Sequence, residues 1–274
     1  MNRYFSIALS AVTAGAMGFA GAPTAHASCA SLFGFGNSAQ CTSSPTTIAI
    51  ALGTGAEAHA NGGLGAAVAL GNGAVAGVYG WLGAATALGT NSLSTASTLG
   101  AAFAAGNNSK AGAGAPNEFF NVAIDVGASD AEAYGGPGNM AVNLFGTGSS
   151  VIALGTANMA FNTGNGNFVW AFGRLNSATA LGGSNGAIKT DGSGIASAAF
   201  QVLGDSNIVY AGPGPLAISG SIFQNNAFIT KTKPGIHING FVAGGAAATS
   251  PPAATAGAKH TAAHGLAGSK RKHA

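Results

Sequence analysis

The chain has 274 residues, of which 46 are glycine and only 6% are charged, and its formal net charge is +3. Ordinary domains carry about 25% charged residues, so there is little acid, base or nucleophile from which to build a catalytic centre. The charge is also unevenly placed, and that confines any nucleic-acid contact to one basic tail that lacks interleaved aromatics.

Residues 1–27 have the form of a secretory signal peptide. Arg3 supplies the positive start, the run from Tyr4 to Gly21 is apolar, and Ala25-His26-Ala27 fits a small-x-small cleavage site before Ser28. No later stretch is long and apolar enough to span a bilayer as a helix. His26 stands where lipid attachment at Cys29 would need an aliphatic residue. Residues 28–45 hold the only two cysteines, Cys29 and Cys41. In an exported chain two cysteines favour one bridge, here a disulfide-stapled N-terminal cap around Leu32, Phe33 and Phe35.

Residues 46–194 are read as the repeat region. IAIALGTGAEAHANG, AAVALGNGAVAGVYG, AATALGTNSLSTAST and AAFAAGNNSKAGAG write one unit four times, and its glycines Gly53, Gly71, Gly89 and Gly106 are 18, 18 and 17 residues apart. A fixed period means stacked copies of one unit. Apolar residues recur at period two, as in Ile48, Ile50 and Leu52, which is strand spacing. Gly and polar pairs such as Asn72-Gly73 are turn chemistry. The expected fold is all-β: a parallel β-solenoid (β-roll) of about 18-residue coils with two strands per coil. The glycine series continues through Gly127, Gly146, Gly155, Gly173, Gly182 and Gly204. Counting back from each glycine places the large residues (Leu70, Val68) inward and the alanine column (Ala51, Ala69, Ala87, Ala104) outward. Asn143 and Gln201 then become buried polar groups needing partners, or mark a local register shift. Residues 107–116 and 183–194 read as loops bulging from the coils.

The string AVALG at 67–71 with AVA at 74–76, and IALG at 152–155, resembles the head repeats of YadA-type trimeric autotransporter adhesins. The likeness covers roughly residues 47–182. It implies a left-handed roll and surface adhesion. This chain departs from that family in lacking a coiled-coil stalk and a C-terminal membrane anchor, and in its longer coils. The Ala/Gly-rich style also resembles exported actinobacterial, particularly mycobacterial, proteins.

From Ile195 the repeat loosens, and residues 195–243 are expected to form longer strands that cap the solenoid, with Lys233-Pro234-Gly235 as a turn. Residues 244–274 have small residues, prolines and no period, and are expected to be a disordered basic tail. Between Ser28 and Ser250 there are five bases and seven acids, 5 − 7 = −2; the tail adds Lys259, Lys270, Arg271 and Lys272, or +4. Such a tail can dock on anionic polymers, so anionic envelope or host-surface glycans are the expected partners.

Motifs of chemistry are present but out of context. Gly182-Gly183-Ser184-Asn185-Gly186 matches G-x-S-x-G, yet no helix pattern follows it. Gly204-Asp205-Ser206 has no Asp after it to support His237. Glycine pairs such as Gly71-Asn72-Gly73 sit inside the repeat with no helix start for a phosphate. The turns carry Thr, Asn and Ser rather than the Asp of a calcium solenoid. Asp125, Asp130 and Glu132 form at most a lone oxygen site. His260 and His264 lack the glutamate of a zinc helix. The threonines Thr54, Thr86, Thr90 and Thr95 do not share one column, which argues against an ice-binding array. Trp81, Trp170 and the phenylalanines are read as core or cap packing rather than as a carbohydrate platform.

The sequence therefore reads as a secreted, non-enzymatic cell-surface or envelope interaction protein without cofactor, catalytic or metal residues. A homo-oligomer could form through the outward alanine column. The rival readings are a structural Gly/Ala-rich envelope protein without a specific ligand and a polysaccharide-acting β-helix enzyme.

Overall fold

The computed structural model describes residues 28–115 and 117–244. The expected signal peptide and the tail with Lys259, Lys270, Arg271 and Lys272 lie outside the described residues. The described residues form an all-β, parallel β-solenoid of about 11 turns with a spacing of about 18 residues. Among them no helix is long and apolar enough to cross a membrane.

β1 (Ser28–Leu32) is the first element of the described residues, and each coil then contributes one strand to each of two walls. The first wall stacks β3 (Thr47–Leu52), β5 (Gly65–Leu70), β7 (Gly83–Leu88) and β9 (Ala101–Ala105). It continues through the start of β11 (Val122–Tyr134), the start of β12 (Met140–Thr156), β13 (Met159–Asn162), β15 (Ser177–Leu181), β17 (Ala198–Val202), β19 (Ala217–Ile222) and β21 (Gly235–Ile238). The second wall stacks β2 (Cys41–Ser43), β4 (Glu57–Ala60), β6 (Val75–Val78), β8 (Leu93–Ala96) and β10 (Lys110–Ala113). It then takes the far halves of β11 and β12, followed by β14 (Phe168–Arg174), β16 (Ala187–Thr190), β18 (Ile208–Ala211) and β20 (Phe228–Lys231).

The faces are the reverse of the expectation. Ala51, Ala69, Ala87 and Ala104 are fully buried, while Leu52, Leu70 and Leu88 are half-exposed on the outside. Strand side chains alternate between faces, so the period-two pattern defines two sets without saying which is inside. Corners of only a few residues, such as 53–56, hold the walls close, and alanine on both walls fills that narrow space in the early coils, while in the later coils one inward column of the second wall carries Val151, Val169, Ile188, Val209 and Ile229. Leucine on both would overpack it. Contact between molecules through the alanine column is therefore unavailable, because the column is the core.

The corners are stacked as tightly. Gly89 has φ +119°, and a Cβ there would sit 2.3 Å from the carbonyl oxygen of Gly106 in the next coil. Only glycine fits both the conformation and the gap. Gly155 and Gly173 belong to the opposite corner series, since Ile152–Gly155 and Trp170–Gly173 lie on the second wall. The single glycine series of the sequence is thus two series, one for each corner, half a period apart.

Asn143 and Gln201 mark register shifts. Phe145 and Leu203 adopt φ of 62° and 48°, each adding one residue before the corner glycine. Counting back through that extra residue puts Asn143 in line with Asp125 and Asn162, and Gln201 in line with Ala180, all facing inward. Asn143 donates to Asp125 at 2.6 Å, and Asn162 donates to Asn143 at 2.7 Å. Gln201 donates to the Gly204 carbonyl at 2.6 Å, and its Oε1 accepts no bond. At one corner a second ladder runs Asn121, Asn139, Asn158, Asn176, each side-chain oxygen accepting the backbone N–H one coil on. These bonds satisfy buried corner amides that the strand ladders do not reach.

The expected loops are partly strand. Lys110–Ala113 and Ala187–Thr190 continue the second wall, and the additional residues gather at the corners after them. The coils also continue past residue 194 to β21, so among the described residues the C-terminal cap is β22 (Phe241–Ala243) alone, antiparallel to β21. The loosened repeat there reflects extra corner residues such as Leu203 and Phe223, both at positive φ. At the other end β1 runs antiparallel to β3, and the Cys29–Cys41 disulfide joins it to the second wall. Inward columns end in polar groups: Ser31 and Ser43 share a 2.7 Å hydrogen bond, while Lys231 donates to the Gly244 carbonyl and His237 bonds the Thr230 carbonyl. Inward polar and charged residues at sheet ends discourage further strand addition.

Candidate functional site

The outer face of the second wall gathers the side chains with chemistry. One outward ladder runs Gly112, Glu132, Ile152, Trp170, Lys189, Tyr210 in register through successive coils. On one side of it stand Asp130, Ser150 and Phe168; on the other stand Tyr134, Leu154 and Phe172.

In β14 the alternation F-V-W-A-F buries Val169 and Ala171 and turns three rings outward. The centroids of Phe168 and Trp170 are 6.1 Å apart with the rings nearly perpendicular, while Trp170 and Phe172 are 5.6 Å apart at 28°. Both are favourable aromatic geometries. The indole Nε1 of Trp170 donates to the Ser150 hydroxyl at 3.3 Å, which fixes the ring plane. Lys189, one coil on, holds its ammonium 4.5 Å from the Trp170 ring centroid, a cation–π contact. Beyond it, Tyr210 donates its hydroxyl to the Asp191 carboxylate. The Ser193 backbone N–H, with the Tyr210 and Ser193 hydroxyls, holds the Asp191 carboxyl below the usual carboxylate range. Burial and the same carboxylate push the Tyr210 phenol up to about 12. Asp191 is therefore an anion and Tyr210 a neutral donor at physiological pH.

Beside this aromatic strip the wall has an open depression of about 290 Å³ lined by Gly112, Gly114, Ala115, Glu132 and Tyr134. It exists because Gly112 brings no side chain to the ladder. Lys110 pairs with Asp130 at 3.5 Å. Burial, followed by the neighbouring Asp130 charge, raises the Glu132 carboxyl, and Lys110 partly offsets this.

The residues proposed from sequence are mostly kept apart. Asp125 points into the core and Asp130 and Glu132 point out, so they form no common oxygen site, and no group of three metal-ligating side chains occurs among the described residues. Asp125 accepts from Ser109 at 2.5 Å and from Asn143, yet burial raises its carboxyl above the ordinary value. Ser184 lies at an exposed corner, donating to Asp205 at 2.7 Å, and is followed by strand β16 rather than a helix. Ser206 is at a corner and His237 lies inside the last coil. His260 and His264 lie outside the described residues. Neither tryptophan is core: Trp81 is 64% exposed at a corner, and Trp170 is on the outer face. Phe168, Phe172, Lys189, Asp191 and Tyr210 were not singled out from sequence. The F-V-W-A-F alternation was a legible signal for the first two; the others needed the coil-to-coil register.

Compared with family models, curated proteins and solved structures, the chain matches none of them.

Proposed function

We propose that this is an exported, non-enzymatic protein of the cell surface or envelope that adheres to glycans through the outer face of its second wall. The observation that carries the reading is the strip Phe168–Trp170–Phe172 with Lys189, Asp191 and Tyr210 at its margin. The C–H faces of sugar rings pack on aromatic faces, whose quadrupole is negative, while fixed donors and acceptors at the edge orient hydroxyl groups. Lys189 offers a positive charge for an acidic sugar. The adjoining depression with Glu132 and Tyr134 extends the same surface by two coils. Export follows from the signal-like residues 1–27 and accords with a disulfide. The basic tail, Lys259, Lys270, Arg271 and Lys272, adds a salt-sensitive attraction to anionic polymers.

Affinity electrophoresis in gels containing neutral or acidic polysaccharide tests this. Trp170→Ala is expected to remove retardation in both gels, and deletion of 259–274 to weaken it only in the acidic gel at low salt. Unchanged mobility of Trp170→Ala would refute the strip. A polysaccharide-cleaving reading is favoured by one observation, the grouping of Lys110, Asp130 and Glu132 at the depression. It requires release of reducing ends by the wild type and their loss in Glu132→Gln.

A further inference from the structure

The outer face of the first wall is the opposite of the glycan-facing one. Its middle outward column includes Ile50, Val68, Phe103, Ile124, Phe161 and Phe200. No charged side chain stands in its outward columns over any of the strands. The charges of the described residues are elsewhere. Glu57, Lys110, Asp130, Glu132, Arg174 and Lys189 are on the second wall, Asp125 and Lys231 are inside, and the remainder sit at corners. Exposed Phe145 and Phe223 extend the apolar surface at one corner, and exposed Leu82 and Leu175 extend it at the other.

We infer that this face is the interface between two copies of the chain, packed first wall against first wall about a two-fold axis. About eleven strands, ~4.8 Å apart and ~17 Å long, give a footprint of about 800 Å². That equals what each partner buries in a standard stable interface, about 800 Å². A two-fold contact needs one self-complementary patch, and a charge-free apolar sheet meets that condition against itself, as in a sandwich of two sheets. Coil-on-coil stacking is the competing mode of self-association. It is opposed by the antiparallel end strands β1 and β22 and by inward Lys231 and His237. A lipid surface is disfavoured by charge: the described residues sum to −2 (five bases, seven acids), and interfacial binding draws on basic residues facing anionic headgroups.

Light scattering of the full secreted protein, disulfide intact, tests the inference with three variants. Phe161→Lys puts a charge at the centre of the face. Ala84→Lys puts one at an outward position that is already exposed, so folding tolerates it. Thr95→Lys is the control on the second wall. The wild type and Thr95→Lys are expected at twice the chain mass. Phe161→Lys and Ala84→Lys are expected at the single mass with unchanged strand circular dichroism, the dissociation constant rising roughly a hundredfold or more. If Phe161→Lys fails to fold, Ala84→Lys decides. A wild type at the single or triple mass overturns the inference, as does a dimer that survives Ala84→Lys. A single-mass wild type that floats with phosphatidylcholine vesicles would assign the face to lipid.

Discussion

The reversed core makes its sharpest demand at Ala76 and Leu93, on the second wall and away from the proposed dimer contact. Ala76 is fully buried, in register between Ala58 and Ser94, while Leu93 stands outward at 37% exposure. Ala76→Leu forces three carbons into a space whose neighbours along the ladder lie only ~4.8 Å away. Overpacking of this kind costs ~1–3 kcal/mol, and the narrow gap between walls puts it near ~3 kcal/mol. Leu93→Ala removes about three methylene-sized groups at ~0.8 kcal/mol each when fully buried. With over a third of the side chain already in water and no closed cavity to add to the cost, the loss is ~1.5 kcal/mol. A solenoid of this size shifts its melting midpoint by about 2–4 °C per kcal/mol. Thermal melts followed by circular dichroism at equal concentration are thus expected to show drops of roughly 6–12 °C for Ala76→Leu and about 3–6 °C for Leu93→Ala. A drop for Leu93→Ala equal to or larger than that for Ala76→Leu would refute the alanine core.

Gly89→Ala should destabilise by ~2 kcal/mol or more, because its Cβ would meet the Gly106 carbonyl oxygen at 2.3 Å, whereas Gly55→Ala, with nothing within 4 Å, should cost only about 1 kcal/mol; denaturant midpoints compare the two. Breaking Cys29–Cys41 by a Cys41→Ser, Cys29→Ser pair frees a segment with a sequence separation of 12 and should cost ~3 kcal/mol, read from the same midpoints. Burial raises the Asp125 carboxyl, so its stabilising effect is complete below the unfolded value of 3.8 and is lost as pH rises through the folded one. Melts across that acidic window should show the wild type losing stability with rising pH more steeply than Asp125→Asn, and parallel curves would remove Asp125 as a cause.

The 18-residue period, the strand spacing, the glycine corners and the stapled start were legible in the sequence because they are local. A turn needs its glycine wherever the chain bends, and a strand alternates whatever it faces. Which alternating set is the core was not local. Both sets are apolar here, so hydrophobicity could not separate them. The choice of alanine over leucine comes from the distance between walls, which the corners set. The same limit hides the extra residues Phe145 and Leu203, because only the register of neighbouring coils shows that Asn143 shares the column of Asp125 and Gln201 that of Ala180. The rings of Phe168, Trp170 and Phe172 could be found within one strand. Lys189 over Trp170, and Tyr210 on Asp191, are 19 residues apart in each case. Only the stacking of unequal coils decides that they meet, because a ladder of backbone hydrogen bonds, rather than sequence distance, fixes which side chains become neighbours.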